Sequence, residues 1–191
     1  MAENQPPISP TEVAFALAQT LEQRRQDYAF GGAIALGYWG LPRGTMDVDL
    51  TIFLSPDQPE ECVRLLEEIG CQVPVANAIA LLKEHGLCRA SYAGLRVDVF
   101  TPTIPFYQLA KNRRRRVPLK TGHIMIWDAE TLAVFKMMFF RDKDLVDLKK
   151  ILSHQKATFD HDWVRAQLID VYGQRDTRIL RWDELVGEAK A

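Results

Sequence analysis

The sequence predicts a mixed α/β fold of the α+β kind: a small mixed sheet flanked by helices over residues 1–127, then a helical extension over 128–191 packed on that core. Between Met46 and Leu54 apolar residues alternate with polar ones, the period of a half-buried strand. Before and after that run, apolar residues recur at three- and four-residue spacing, as amphipathic helices require. Beyond Trp127 only the helical spacing remains.

The elements follow in order. Residues 1 to 8 read as a loose lead-in. Ser9-Pro10-Thr11-Glu12 then combines a capping serine, a proline at the first helical position and a glutamate three residues on. The helix it opens shows Val13, Leu17 and Leu21 on one face and runs out near Arg25. Tyr28 to Phe30 is a short strand, Gly31-Gly32 a turn, and Ala33 to Trp39 a helix closed by Gly40-Leu41-Pro42. In the strand from 46 to 54, Met46, Val48, Leu50, Ile52 and Leu54 share one side, and Asp47, Asp49 and Thr51 the other. Ser55-Pro56-Asp57 opens a helix that ends at Gly70, and Val75 to His85 forms another, stopped by Gly86. Leu87 to Tyr92 and Leu95 to Thr101 make a hairpin around Ala93-Gly94. Ile104 to Arg116 is expected to be helical. Val117 to Leu119 and His123 to Trp127 flank Lys120-Thr121-Gly122 as a second hairpin-like pair. Helices over roughly 129–140, 143–154, 161–172 and 176–187 complete the chain.

Composition narrows the function classes. The 191 residues are 47% hydrophobic and 26% charged, enough for a substantial core, and the net charge of -1 provides no global field for long nucleic acid. No run of about 18 apolar residues and no signal-like start is present, so the expectation is a cytoplasmic protein without membrane contact. Cys62, Cys71 and Cys88 lack CxxC spacing, and His85, His123, His154 and His161 form no zinc pattern with them. The thiols read as reduced residues in or near the core.

The chemistry is carried by carboxylates. Asp47 and Asp49 stand two residues apart on an extended chain, so they leave one face at a Cα separation of roughly 6.5 to 7 Å. Magnesium suits such a pair, because it takes one or two carboxylates and leaves positions for substrate phosphate and water. In "LRVDVF" Val97 and Val99 face the core while Arg96, Asp98 and Phe100 face away; if the two strands are neighbours, three acids converge. The same residues also fit plain solvent-facing positions on a half-exposed sheet. Gly31-Gly32, between a strand and a helix, presents backbone N–H groups and the positive end of a helix dipole, an anion site, although glycines also serve there simply as turn residues.

Taken together, "FGG" at 30 to 32, "DVDL" at 47 to 50 and "VDV" at 97 to 99 resemble the signature of the polymerase-beta-like nucleotidyltransferase superfamily. Within it, "LPRGTMDVDL" and "DAETLAVFKMMFFRDKDLVDLKKIL" look like the minimal bacterial AbiEii-related nucleotidyltransferases of toxin-antitoxin type, a similarity that covers about residues 28 to 154. The resemblance implies a nucleotidyltransferase-type sheet and transfer of a nucleoside monophosphate from NTP to a hydroxyl. It implies Mg2+ (or Mn2+) on Asp47, Asp49 and Asp98, with Asp98 completing the metal site or acting as base. Gly31, Gly32, Arg43, Thr45 and Lys136 would serve the nucleotide, with Asp144 and Asp147 in support of Lys136. A cognate toxin-antitoxin protein would be the partner.

Three further features remain open on residues alone. Lys136 interrupts "LAVFKMMFF", so its ammonium either snorkels to solvent or meets an anion. Asp144 and Asp147 lie on a helix of alternating charge that also reads as a solvated, salt-bridged face. Arg113, Arg114, Arg115 and Arg116 form the one strong basic cluster, either an exposed helix end or a contact to RNA or tRNA phosphates. A module of the same fold that binds nucleotide or a partner without turnover is the main alternative to an enzyme. A glycosyltransferase, which also uses D-x-D, would need a larger nucleotide-binding half.

Overall fold

The structure, a computed structural model, describes residues 8–156 and 158–190. All but the last residue of the lead-in read at 1 to 8 lies outside them. The elements are α1 (Pro10–Gln23), β1 (Tyr28–Phe30), α2 (Gly32–Trp39), β2 (Asp47–Ile52), α3 (Pro59–Glu68), α4 (Val75–His85), β3 (Leu87–Tyr92) and β4 (Leu95–Phe100). They continue with α5 (Phe106–Arg113), β5 (Arg115–Leu119), β6 (Gly122–Ile126), α6 (Ala129–Phe139), α7 (Asp142–His154), α8 (His161–Tyr172) and α9 (Thr177–Lys190). The mixed α/β class expected from the sequence is the one observed. The strands form one six-stranded mixed sheet in the order β3-β4-β2-β1-β6-β5.

The chain divides into two compact units. One comprises the segment ending at Phe30, Gly44–Thr103 and Arg116–Met125; the other comprises Gly31–Arg43, Ile104–Arg115 and the segment from Ile126 onward. Each unit is drawn from several stretches of sequence, whereas the sequence reading places a single boundary after residue 127.

In the first unit, α1 starts as its sequence dictates. The Ser9 hydroxyl accepts from the Glu12 N–H, and the Glu12 carboxylate accepts from the Ser9 N–H at 2.8 Å, a capping box worth about 1 kcal/mol. Val13, Leu17 and Leu21 are fully buried, as are Val48, Leu50 and Ile52 of β2 and Val97 and Val99 of β4. Met46 stands outside β2 and is 77% exposed, so the strand begins one residue later than the pattern suggests and its buried apolar alternation begins at Val48. Thr51 is buried although it shares the polar side in the strand pattern. β1 and β2 pair antiparallel, with Ala29 opposite Thr51. β2 and β4 run parallel, and β3 pairs antiparallel with β4 from Leu87↔Phe100 to Tyr92↔Leu95. The turn between β3 and β4 is the two-residue Ala93-Gly94, with φ of 49° and 83°. That is the left-handed pair a tight hairpin needs.

Cys62, Cys71 and Cys88 are buried and free. Burial pushes the Cys62 and Cys88 thiols up to about 12 and the Cys71 thiol to about 11. They are packing groups rather than nucleophiles.

The second unit is helical. α6 packs against α7 and α8, and α9 packs against α7 and α8. Asp128 caps α6 by accepting from the Thr131 N–H at 2.9 Å. α2 lies on α6 and α7. The Trp39 indole N–H donates to the Trp127 carbonyl at 2.7 Å, and the Gln155 amide donates to the Trp39 carbonyl at 2.9 Å. A side chain at Gly40 would come within 3.3 Å of the Lys150 and Ile151 backbone, so glycine there lets α2 approach α7 closely. Phe135 meets Phe106 edge-on at 5.3 Å and Tyr107 at 5.1 Å, which anchors α5 to α6.

Two boundaries differ from expectation. α3 begins at Pro59 rather than Ser55, because proline at the first turn of a helix needs no N–H partner and Ser55–Gln58 forms a turn first. The basic run does not continue α5. Arg114 leaves helical geometry with ψ of 147°, and Arg115 and Arg116 begin β5, the strand at one end of the sheet.

Candidate functional site

The first unit assembles the three acids of the strand motif. β2 and β4 are parallel neighbours in a register that sets Asp49 opposite Asp98 and Asp47 opposite Arg96. Cross-strand neighbours lie about 4.8 Å apart along the sheet, and residues two apart on a strand share a face. Asp47, Asp49 and Asp98 therefore occupy one patch of the sheet, each partly exposed beside fully buried Val48, Leu50, Val97 and Val99. Thr45 joins them, its hydroxyl donating to an Asp47 carboxylate oxygen.

Two arginines meet these acids. Arg96 pairs through Nη2 with Asp47 and, at 3.2 Å, with Asp98. Arg89, opposite Asp98 on β3, brings Nε to 3.6 Å from Asp98 Oδ1. That oxygen is buried and accepts no hydrogen bond. Among the described residues, no three His, Cys, Asp or Glu side chains are arranged as a metal-binding group. The Arg96 guanidinium is drawn to two of the three carboxylates. In donor chemistry the acids offer the carboxylate oxygens that hard ions such as Mg2+ or Mn2+ take. The unsatisfied Asp98 oxygen is the kind of ligand such an ion requires.

The second unit holds the other predicted residues. Gly31 caps α2 and Gly32 is its first residue, with φ of 50°, a left-handed value that favours glycine. Lys136 is 3% exposed. Its ammonium donates to Asp147 at 2.7 Å and lies 3.7 Å from Asp144. Of the two outcomes open to a lysine in an apolar run, the anion is the one observed, and two carboxylates of α7 supply it. Arg43 donates from Nε to both Asp147 oxygens at 3.2 Å, Lys150 lies 3.9 Å from Asp147, and Arg141 donates to Asp144 at 2.6 Å. Four cations thus surround two carboxylates. Asp144 and Asp147 are buried, so the solvated charged face read from their helix is not what these two residues form.

The basic cluster separates into distinct environments. Arg113 pairs with Asp128 at 2.8 Å and Glu130 at 3.0 Å and stacks 4.1 Å over the Trp163 ring. Arg114 donates to the Lys111 carbonyl at 2.8 Å, and Arg115 and Arg116 are exposed. No described helix is long and apolar enough to cross a membrane.

Sequence reasoning did not single out Arg96. The signal was present, because the alternation that exposes Asp98 exposes the residue two before it.

Comparison with solved structures matches this architecture. An antigenic nucleotidyltransferase-like protein from Paracoccidioides brasiliensis superposes with a TM-score of 0.53 at 17% identity, covering 91% of this chain and 94% of that one. The chain has the nucleotidyltransferase fold. The antibiotic-resistance factor ANT(2'')-Ia matches with a TM-score of 0.55 at 11% identity, over 94% of this chain and 96% of its own. The lincosamide antibiotic adenylyltransferase LnuA, bound to lincomycin, matches with a TM-score of 0.51 at 13% identity, over 72% of this chain and 92% of its own. No family model and no curated protein matches the sequence.

Proposed function

We propose that this chain is a metal-dependent nucleotidyltransferase that moves a nucleoside monophosphate from NTP to a hydroxyl acceptor. The observation that carries the reading is the register of β2 and β4, which gathers Asp47, Asp49 and Asp98 on one sheet patch in a nucleotidyltransferase fold. Asp47 and Asp49 would hold Mg2+ or Mn2+, with Asp98 as third ligand or as base. The metal would offset charge on the transferring phosphate. Gly31 and Gly32 would meet the triphosphate through backbone N–H groups at the start of α2, and Thr45, Arg43 and Lys136 would serve the nucleotide.

In the reaction the acceptor oxygen bonds to the α-phosphorus as the bond to the β-phosphate oxygen breaks. Pyrophosphate leaves, and with Asp98 as base the hydroxyl proton would pass to its carboxylate. Arg43, paired with a carboxylate that Lys136 also neutralises, is pre-organised as a cation for phosphate; Asp147 and Asp144 act as its and Lys136's positioning residues.

For the acceptor, RNA, a protein and a small molecule are the three classes to assay. One structural neighbour is named an antibiotic-resistance factor and another a lincosamide antibiotic adenylyltransferase, which supports a small hydroxyl compound. Arg113 is committed to Asp128, Glu130 and Trp163, so contact with tRNA would fall to Arg114, Arg115 and Arg116. The AbiEii-type likeness of the sequence supports a toxin-antitoxin setting with a cognate protein.

A second reading is a nucleotide- or partner-binding module without turnover. It is favoured by one observation, the ion pairing of Arg96 with two of the three acids. Incubation with each labelled NTP, Mg2+ and cell extract, followed by mass spectrometry of labelled products, tests the choice. The enzyme reading expects a labelled product that disappears in Asp49→Asn; equal labelling in that variant would end it.

A further inference from the structure

We infer that Arg96 is the resident counter-cation of the acidic patch, holding Asp47 and Asp98 in the metal-free protein so that a divalent ion binds only when nucleotide arrives with it. This rests on the metal reading above and adds a residue to it.

The placement follows from the strands. Arg96 and Asp98 stand two apart on β4 and share a face, and the parallel register sets Arg96 opposite Asp47. One guanidinium nitrogen, Nη2, pairs with both carboxylates, the one to Asp98 at 3.2 Å. The Arg96 side chain is 47% exposed against 23% for Asp47 and 16% for Asp98, so it can leave toward solvent without opening the core.

The chemistry gives the exchange a direction. A guanidinium is planar and weakly hydrated, whereas aqueous Mg2+ sheds its waters reluctantly. A bare ion would have to dehydrate and displace Arg96 for two or three carboxylates. A metal–triphosphate complex brings oxygen ligands of its own, and its phosphates offer the displaced guanidinium a charge-assisted partner. Arg89 is the internal contrast: it is 71% exposed and lies 3.6 Å from Asp98.

The test is Mn2+ binding without nucleotide, read from the electron paramagnetic resonance of free Mn2+ in the wild-type protein and its variants. Arg96→Gln should bind Mn2+ about tenfold more tightly than wild type, and Arg89→Gln within about twofold of it. Adding Asp98→Asn to Arg96→Gln should remove the gain. A non-hydrolysable NTP analogue should narrow the difference between wild type and Arg96→Gln. Arg96→Lys, which keeps a charge but not the fork, should fall between them and serves if the glutamine variant fails to fold. Equal Mn2+ affinity in wild type and Arg96→Gln, with Asp98→Asn still weakening it, would overturn the role of Arg96 and leave the metal reading standing. No Mn2+ binding by either folded protein, with or without the analogue, would overturn both.

Discussion

Asp47, Asp49 and Asp98 in the first unit and Asp144 and Asp147 in the second are neutralised in opposite ways. The second pair is buried and surrounded by Lys136, Arg43, Arg141 and Lys150, with the Lys136 ammonium itself almost completely removed from solvent. In the first group Arg96 pairs with Asp47 and Asp98 and Arg89 lies near Asp98, and these two arginine side chains are 47% and 71% exposed. Removing one member of a buried pair strands the other charge in a low dielectric and costs about 3–5 kcal/mol, while an exposed pair is worth about 0–1 kcal/mol. Burial therefore predicts that the carboxylates of α7 hold the fold, and that those of β2 and β4 can be changed without losing it.

The largest effect expected from this contrast is in Asp147→Ala, which leaves Lys136 and Arg43 facing a gap. It should lose about 3–5 kcal/mol and melt roughly 10 °C lower, as followed by circular dichroism. A shift of only a degree or two would break the distinction. The contrast sharpens if Lys136→Met and Asp147→Asn are combined, because both charges of the 2.7 Å pair are removed together at nearly constant volume. Part of the lost stability should return while label transfer stays low, which would separate the fold-holding part of this cluster from its service to the nucleotide.

A smaller effect is expected of the thiols, which sit in the same unit as the acid patch. Their raised pKa values mean that the folded protein keeps them neutral where an unfolded chain, near 9.0, would ionise them. Their contribution to stability is complete below pH 9 and is lost as pH rises toward about 11 to 12. Thiol-specific reagent at pH 8 should accordingly modify Cys62, Cys71 and Cys88 only after denaturant is added; fast labelling of the native protein would show that this unit opens readily. The smallest effect belongs to the hairpin that carries Asp98. Ala93 holds φ of 49°, so Ala93→Gly should relieve the left-handed strain, add about 0.5–1 kcal/mol of stability and raise the melting midpoint by about 1–4 °C.

Much of this was legible in the sequence because it depends on neighbours in the chain. The capping box at Ser9, the alternation that buries Val48 and Val97 beside exposed acids, the Ala93-Gly94 turn and the span of α8 are all local. The sheet order was not legible, since nothing in β2 or β4 states that they lie side by side; only the strand register turns Asp98 into a neighbour of Asp49. The environment of Lys136 was half legible. An ammonium in an apolar helix demands an anion, but Arg43 reaches Asp147 across 104 residues and no periodicity reports such a pair. The basic run misled for a physical reason: arginine is a good helix former, and the turn at Arg114 out of α5 is set by β5 joining the sheet rather than by propensity.

The most direct test of the central claim is a paired measurement on the Asp47→Asn/Asp49→Asn protein: its melting midpoint, and its transfer of labelled nucleoside monophosphate in the presence of Mg2+. A midpoint within about 3 °C of wild type together with the loss of at least about 99% of transfer is the predicted result. Transfer at the wild-type rate, or a protein that no longer folds, would contradict it.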